Sequence, residues 1–125
     1  MAFGPVAFGE KLAEGKTKII YAHPERADVV YMVHKDGLSA GDGARRNVLP
    51  GKGKLSCRTT SNVFYLLELE GVPTHYIGMV GEDVNIVTRC AMIPLEVVMR
   101  RIATGSFLRR HPEVAEGTRF DPVLV

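Results

Sequence analysis

A single stretch of helical periodicity is set among runs of strand length, and that ordering limits the possible folds more than any one motif does. From Thr59 to Glu70 the apolar side chains Val63, Phe64, Leu66 and Leu67 recur at helical spacing. Thr59, Thr60 and Ser61 offer capping hydroxyls, and Gly71 with Pro73 ends the pattern. The spacing predicts a helix over 59–70 with its aromatic stripe in the core. Before it lie strand-like runs over 18–22 and 29–34, joined by a turn at His23, Pro24, Glu25 and Arg26. After it come runs over 74–80 and 84–90, separated by Gly81, Glu82 and Asp83, and then a further apolar run from Ile93. Two strands, a helix and three more strands predict an α+β fold, a mostly antiparallel sheet with one helix packed on it.

The chain of 125 residues is long enough for one such domain with a real core. Sixteen basic residues against fourteen acidic leave a charge of +2, too small to argue for a nucleic-acid partner. Cys57 and Cys90 form no CxxC pair and read as two buried thiols in a reducing compartment. Residues 1–9 lack the basic start and long apolar core of a secretory signal, and no run approaches membrane-span length. The expectation is a cytoplasmic protein without membrane contact. His23, His34, His75 and His111 show no metal-ligand spacing.

Three stretches carry chemistry. The first runs from Ile93 to Phe107, where a β-branched run of strand length turns cationic at Arg100 and Arg101, then small and hydroxylated at Thr104, Gly105 and Ser106. An arginine fork beside hydroxyls and open backbone suits phosphate or carboxylate. Ser106 is placed to cap a short helix over 107–110, and a buried strand ending in a solvated basic turn fits the same spacing. The second is Glu14, Gly15, Lys16, Thr17, Lys18. With Gly9 upstream it approaches a Walker A loop, but five residues separate the glycines where that motif allows four, and Ile19, Ile20 and Tyr21 promise a strand, not a helix. What remains is a glycine hairpin with Lys16 and Lys18 alternating onto one face, suited to a polyphosphate or simply to solvent. The third is a loop over 35–46, in which glycines flank Asp42 and let backbone approach a ligand. Residues 50–54 extend it as a glycine and lysine linker.

Read together, EGKTK at 14–18, SAGDGAR at 39–45 and MIPLEVVMRRIATGSFLRR at 92–110 resemble the SAICAR synthetase family of purine biosynthesis, in order and in spacing. The resemblance covers residues 11–125, leaving 1–10 as an N-terminal extension. It implies two lobes with ATP between them, as in protein kinases, this chain forming mainly the N-terminal, ATP-side lobe. Gly15, Lys16, Thr17 and Lys18 would lie over the ATP phosphates, with Arg89 and Met92 at the adenine edge. Ser39, Gly41, Asp42 and Arg45 would line the imidazole pocket of carboxyaminoimidazole ribonucleotide (CAIR). Arg100, Gly105 and Ser106 would hold its 5′-phosphate. The implied reaction joins L-aspartate to CAIR, giving SAICAR with cleavage of ATP to ADP and phosphate. Catalytic residues are not assigned by these motifs.

Family members are about twice as long, so the resemblance also implies Mg2+ bound by acidic ligands in a C-terminal half beyond this sequence. Asp36, Asp42, Glu82 and Asp83 are scattered and make no substitute cluster. The chain then reads as a truncated or split form. A face left without its second lobe favours a homo-oligomer or a complementary C-terminal subunit. A non-catalytic nucleotide-binding or interaction module derived from the lobe is the competing reading. RNA binding through Lys52, Lys54, Arg100, Arg101, Arg109 and Arg110 is a weaker one, because interleaved aromatics for base stacking are missing.

Overall fold

Val29–His34, the most apolar of the strand-like runs, is the middle of a five-stranded antiparallel sheet in the computed structural model, which describes residues 3–40 and 45–125. The chain divides into two units, one up to Ala91 and one over Met92–Val125. In the first the elements are β1 (Lys11–Glu14), β2 (Lys18–Ala22), β3 (Val29–His34), β4 (Gly37–Ala40), β5 (Arg45–Val48), α1 (Lys52–Leu69), β6 (Tyr76–Met79) and β7 (Val84–Thr88). The sheet order is β1-β2-β3-β7-β6, with every pair antiparallel. β4 and β5 pair separately as a hairpin. The predicted strands over 18–22 and 29–34 form with those bounds, and the α+β class holds.

Register decides which side chains share a face. Lys18 lies opposite His34, Ile20 opposite Met32 and Ala22 opposite Val30, while Met32 and Val30 lie opposite Asn85 and Val87. Cross-strand partners project to the same side, so all of these share one face. There Val30, Met32 and Val87 form the core with Ile20 and Tyr76, and α1 packs on that face through hydrogen bonds to His34 and Asn85. The opposite face carries Tyr21 and Tyr31, against which the N-terminal segment sets Phe8 at ring-centroid distances of 4.8 and 5.6 Å.

The helix departs from its prediction at both its start and its inward face. It begins at Lys52, not Thr59, so residues 50–54 are a turn and a helix start, not a linker. Gly51, at φ 87°, precedes it without a side-chain cap of its own. The cap comes from Asp36, whose carboxylate accepts from Gly51 N at 3.2 Å and Gly53 N at 2.7 Å. A cap supplied from so far upstream leaves no local sequence signal. Inward, α1 presents the small residues Gly53, Cys57 and Ser61. Of the predicted core stripe, only Phe64 is half-buried, stacked on Tyr76 at 5.6 Å, while Val63 and Leu66 are 50% and 60% exposed. Gly53 has to be glycine for space: a Cβ there would meet the His34 carbonyl oxygen at 2.5 Å.

Residues 35–46, read from sequence as a loop, include strand β4 and the start of β5, with Ser39 opposite Arg46 and Ala40 opposite Arg45. The base of this hairpin is tied down by Leu49 N donating to Asp36 O at 3.0 Å and by Lys52 Nζ donating to Gly37 O at 2.8 Å.

The second unit holds β8 (Arg100–Ile102), α2 (Ser106–Arg110) and β9 (Arg119–Leu124), with β8 and β9 antiparallel. The apolar run from Ile93 does not form the predicted buried strand. Residues 91–99 have no strand assignment, and Ile93, Leu95 and Val97 are each more than 70% exposed. Pro94 lacks an N–H for a ladder, and β-branched composition alone does not supply a pairing partner.

Candidate functional site: a lysine-bearing turn and an arginine-backed turn

Lys16 lies in the turn between β1 and β2, not on β2, so strict alternation does not set the two lysines on one face as predicted. Their proximity comes from the turn instead, closed by Gly15 N donating to Lys18 O at 2.8 Å. Lys16 is exposed and Lys18 half-buried, and neither ammonium group has a hydrogen bond or ion pair among the described residues. Two ammonium groups without a partner among the described residues suit a multiply charged anion, while the Gly15 N–H and carbonyl are already bonded to Lys18 O and Lys35.

Lys35 braces this turn from the end of β3. Its backbone N donates to Thr17 O at 2.8 Å, and its ammonium bonds Glu14 Oε1 at 2.7 Å and Gly15 O at 3.2 Å. Lys11 takes the other Glu14 oxygen at 3.0 Å. Hydrogen bonds from Lys35 and then Lys11 hold the Glu14 carboxyl down to about 2.

Arg89 follows β7, its backbone N donating to Asp28 O at 2.8 Å. That puts it at the end of the ladder near Ala22, with Lys18 at the other end opposite His34. Along β3 the two ends, Asp28 beside Arg89 and His34 beside Lys18, are six residues apart, about 20 Å at about 3.3 Å per residue. Gly15, Lys16, Thr17 and Lys18 are therefore brought together, and Arg89 stands a strand's length away. Met92 opens the second unit and is 86% exposed. Ser39 and Arg45 fall on β4 and β5, while Gly41 and Asp42 lie outside the described residues.

In the second unit the sequence-predicted trio is local. Arg100 on β8 donates through Nη1 to Thr104 O at 3.3 Å, and its guanidinium stands 5.5 Å from the Phe107 ring centroid. Gly105, at φ 60°, precedes α2, and Ser106 is its first residue with no side-chain cap bond, not the N-cap predicted. A cavity of about 320 Å3 is lined by Val98, Arg100, Phe107, Arg110, His111 and the end of β9.

Sequence reasoning missed a buried polar chain beneath the lysine face. Asn85 Nδ2 donates to Ser61 Oγ at 2.8 Å, and Ser61 Oγ donates to Cys57 O at 2.9 Å. Asn85 Oδ1 is left to accept from His34 Nε2–H at 2.9 Å, so His34 Nδ1 accepts from the Ser56 hydroxyl at 3.0 Å. Burial lowers the His34 pKa against the Asn85 bond that raises it, and the charges of Lys18 and Lys52 lower it further while Asp83 opposes them. Burial also pushes the Cys57 thiol up to about 11, leaving it inert as a nucleophile. Cys90, predicted buried, is exposed, because its strand ends at Thr88. The available signal was Asn85, a lone amide inside the apolar run Val84, Asn85, Ile86, Val87.

Among the described residues no three His, Cys, Asp or Glu side chains gather as a metal ion would require. None of their helices is long and apolar enough to cross a membrane.

The family model for SAICAR synthetase matches residues 11–125. Phosphoribosylaminoimidazole-succinocarboxamide synthase of Roseiflexus castenholzii is 65% identical over 117 residues, covering 94% of this chain and 47% of that protein. Among solved structures, a SAICAR synthetase (Type-2) in complex with ADP superposes with a TM-score of 0.79 at 37% identity, over 90% of this chain and 47% of that one. The synthase of Ehrlichia chaffeensis gives 0.81 at 31% identity, over 92% and 48%. The fold is thus that of about half of a purine-biosynthetic synthetase. The chain belongs to the SAICAR synthetase family and spans about half the length of the relatives it matches.

Proposed function

We propose that residues 11–125 are the ATP-side lobe of a SAICAR synthetase and take part in ATP-dependent ligation of L-aspartate to CAIR, giving SAICAR, ADP and phosphate. The observation that carries this reading is the Gly15 turn, which offers the Lys16 and Lys18 side chains, unpaired among the described residues, at one end of a sheet face whose other end is Arg89. A nucleotide laid along the sheet would set its phosphates on Gly15, Lys16, Thr17 and Lys18 and its base towards the Arg89 end. The ADP complex of a structural relative supports that occupant.

Arg100, Gly105 and Ser106 would receive the ribonucleotide 5′-phosphate, and Ser39, Gly41, Asp42 and Arg45 its imidazole end. A carboxylate is a poor electrophile, so its oxygen is first phosphorylated by ATP, and the aspartate amine then displaces phosphate. The lysines contribute by neutralising phosphate charge, and the two turns by holding the reactants in place. Magnesium, which supplies charge neutralisation on phosphates when bound, has no ligand set among the described residues, and no step is assigned through it. Exposed apolar side chains on α1 (Leu55, Leu66, Leu69) and on residues 93–99 support self-association or pairing with a second polypeptide. We place this work in the cytoplasm, where its small-molecule substrates are soluble.

Calorimetry with ADP and with CAIR, followed by ADP release in the presence of aspartate, tests the reading. Binding of both ligands is expected. Binding without turnover by the 125-residue chain would assign a nucleotide-binding module, and failure to bind either ligand would overturn the proposal.

A further inference from the structure

The contacts of Lys35 fall on every residue of the lysine-bearing turn except the two lysines themselves. Its backbone N holds Thr17 O, and its ammonium holds the Glu14 carboxylate on one side and the Gly15 carbonyl at the apex. The next residue, Asp36, is fixed to the start of α1 through Gly51 N and Gly53 N. The preceding one, His34, is fixed to Ser56 and Asn85. Lys35 thus stands between two anchored neighbours and braces the turn, and the Lys16 and Lys18 side chains have no partner among the described residues.

We propose that Lys35 is a positioning residue for the nucleotide: through Glu14 and the Gly15 carbonyl it fixes the turn so that Lys16 and Lys18 meet the polyphosphate of a nucleoside di- or triphosphate. This rests on the nucleotide reading of the Gly15 turn given above. It differs from a direct role, in which the Lys35 charge would itself touch phosphate. The two roles predict opposite signs for one substitution. Glu14→Gln removes a negative charge from beside the phosphates and releases the Lys35 ammonium, so simple attraction would strengthen ADP binding. If Lys35 acts by bracing, the same change loosens the turn and weakens it.

The test measures ADP and adenosine affinity by calorimetry for the 125-residue chain and for Glu14→Gln, Lys35→Met and the double variant. Both side chains are solvent-accessible and their pair lies at the surface, so the variants are expected to fold, which far-UV circular dichroism checks. Each single variant should bind ADP on the order of tenfold more weakly, about 1.4 kcal/mol, with adenosine affinity within about twofold. The double variant should be no worse than either single one, the signature of a shared interaction. ADP binding by Glu14→Gln as tight as, or tighter than, by the parent chain overturns the inference while leaving the nucleotide reading intact. Equal losses for ADP and adenosine overturn it as well, since they report general loosening. Absence of ADP binding by the parent chain overturns the nucleotide reading and this inference with it.

Discussion

Gly53→Ala sets two effects of known sign against each other. In an exposed helix the change gains at most about 1 kcal/mol, from reduced backbone entropy in the unfolded chain. Here the new methyl would stand 2.5 Å from the His34 carbonyl oxygen and 3.0 Å from Asp36 Oδ1, against an ordinary carbon–oxygen approach of about 3.3 Å. The carbonyl belongs to a buried residue of the central strand and cannot swing aside. Relief therefore requires the first turn of α1 to lift by nearly an ångström, stretching the 2.7 Å bond from Gly53 N to Asp36. Overpacking costs about 1 to 3 kcal/mol, and weakening a charge-assisted hydrogen bond about 1.5 kcal/mol more. Net of the propensity gain, the variant should lose about 1.5 to 3.5 kcal/mol. Urea unfolding followed by far-UV circular dichroism measures this directly. Thr59→Ala, at an exposed position of the same helix with no side-chain partner among the described residues, is the control and should stay within about 0.5 kcal/mol of the parent. A Gly53→Ala chain as stable as the parent, or more so, would show that α1 does not approach β3 as described.

Asp36→Asn keeps the shape but removes the charge that caps α1, and should cost about 1 to 2 kcal/mol in the same unfolding assay. His34 has a pKa below its ordinary 6.5 in the folded protein, so the folded state binds fewer protons than the unfolded one and stability rises with pH. The contribution of the neutral ring is present above about pH 6.5 and is lost as the pH falls through the folded-state value. A His34→Gln variant should therefore show a flatter dependence of stability on pH between 7 and 5. Arg100→Ala should weaken CAIR binding by about 2 to 4 kcal/mol and leave ADP affinity unchanged, whereas Lys16→Ala should do the reverse, both read by calorimetry. Sedimentation velocity from micromolar to millimolar concentration should show a dimer or larger species, and a monomer throughout would count against the apolar faces as contact surfaces.

Local patterning made the sheet legible. Short continuous apolar runs bounded by turn residues mark β2 and β3, and Gly71 with Pro73 marks the end of α1. What was hidden depends on contacts distant in sequence. The start of α1 is set by Asp36, fifteen residues before Gly51, and its inward face is chosen by what β3 and β7 present, a histidine and an amide, so small residues face inward and leucines outward. The run over 93–99 has strand composition but no partner in a ladder, which composition does not reveal. For the site, the glycine turn and its lysines were readable as a motif, but the brace was not. Lys35 looks like any surface lysine until the fold brings it to Glu14, and Cys90, read as a buried thiol from its lack of a CxxC partner, lies exposed past the end of β7 at Thr88.

His34, Lys35 and Asp36 are consecutive, and each fastens a different neighbour: the polar chain under the sheet, the glycine turn and the start of the helix. The backbone between them thus sets three distances at once, like a ruler with no slack. A one-residue insertion here would turn successive side chains to opposite sides and uncouple all three neighbours together. The same insertion in the exposed stretch at 71–73 would lengthen a connection and leave those spacings alone. Lineages of this domain should therefore vary in length at the second place and not at the first.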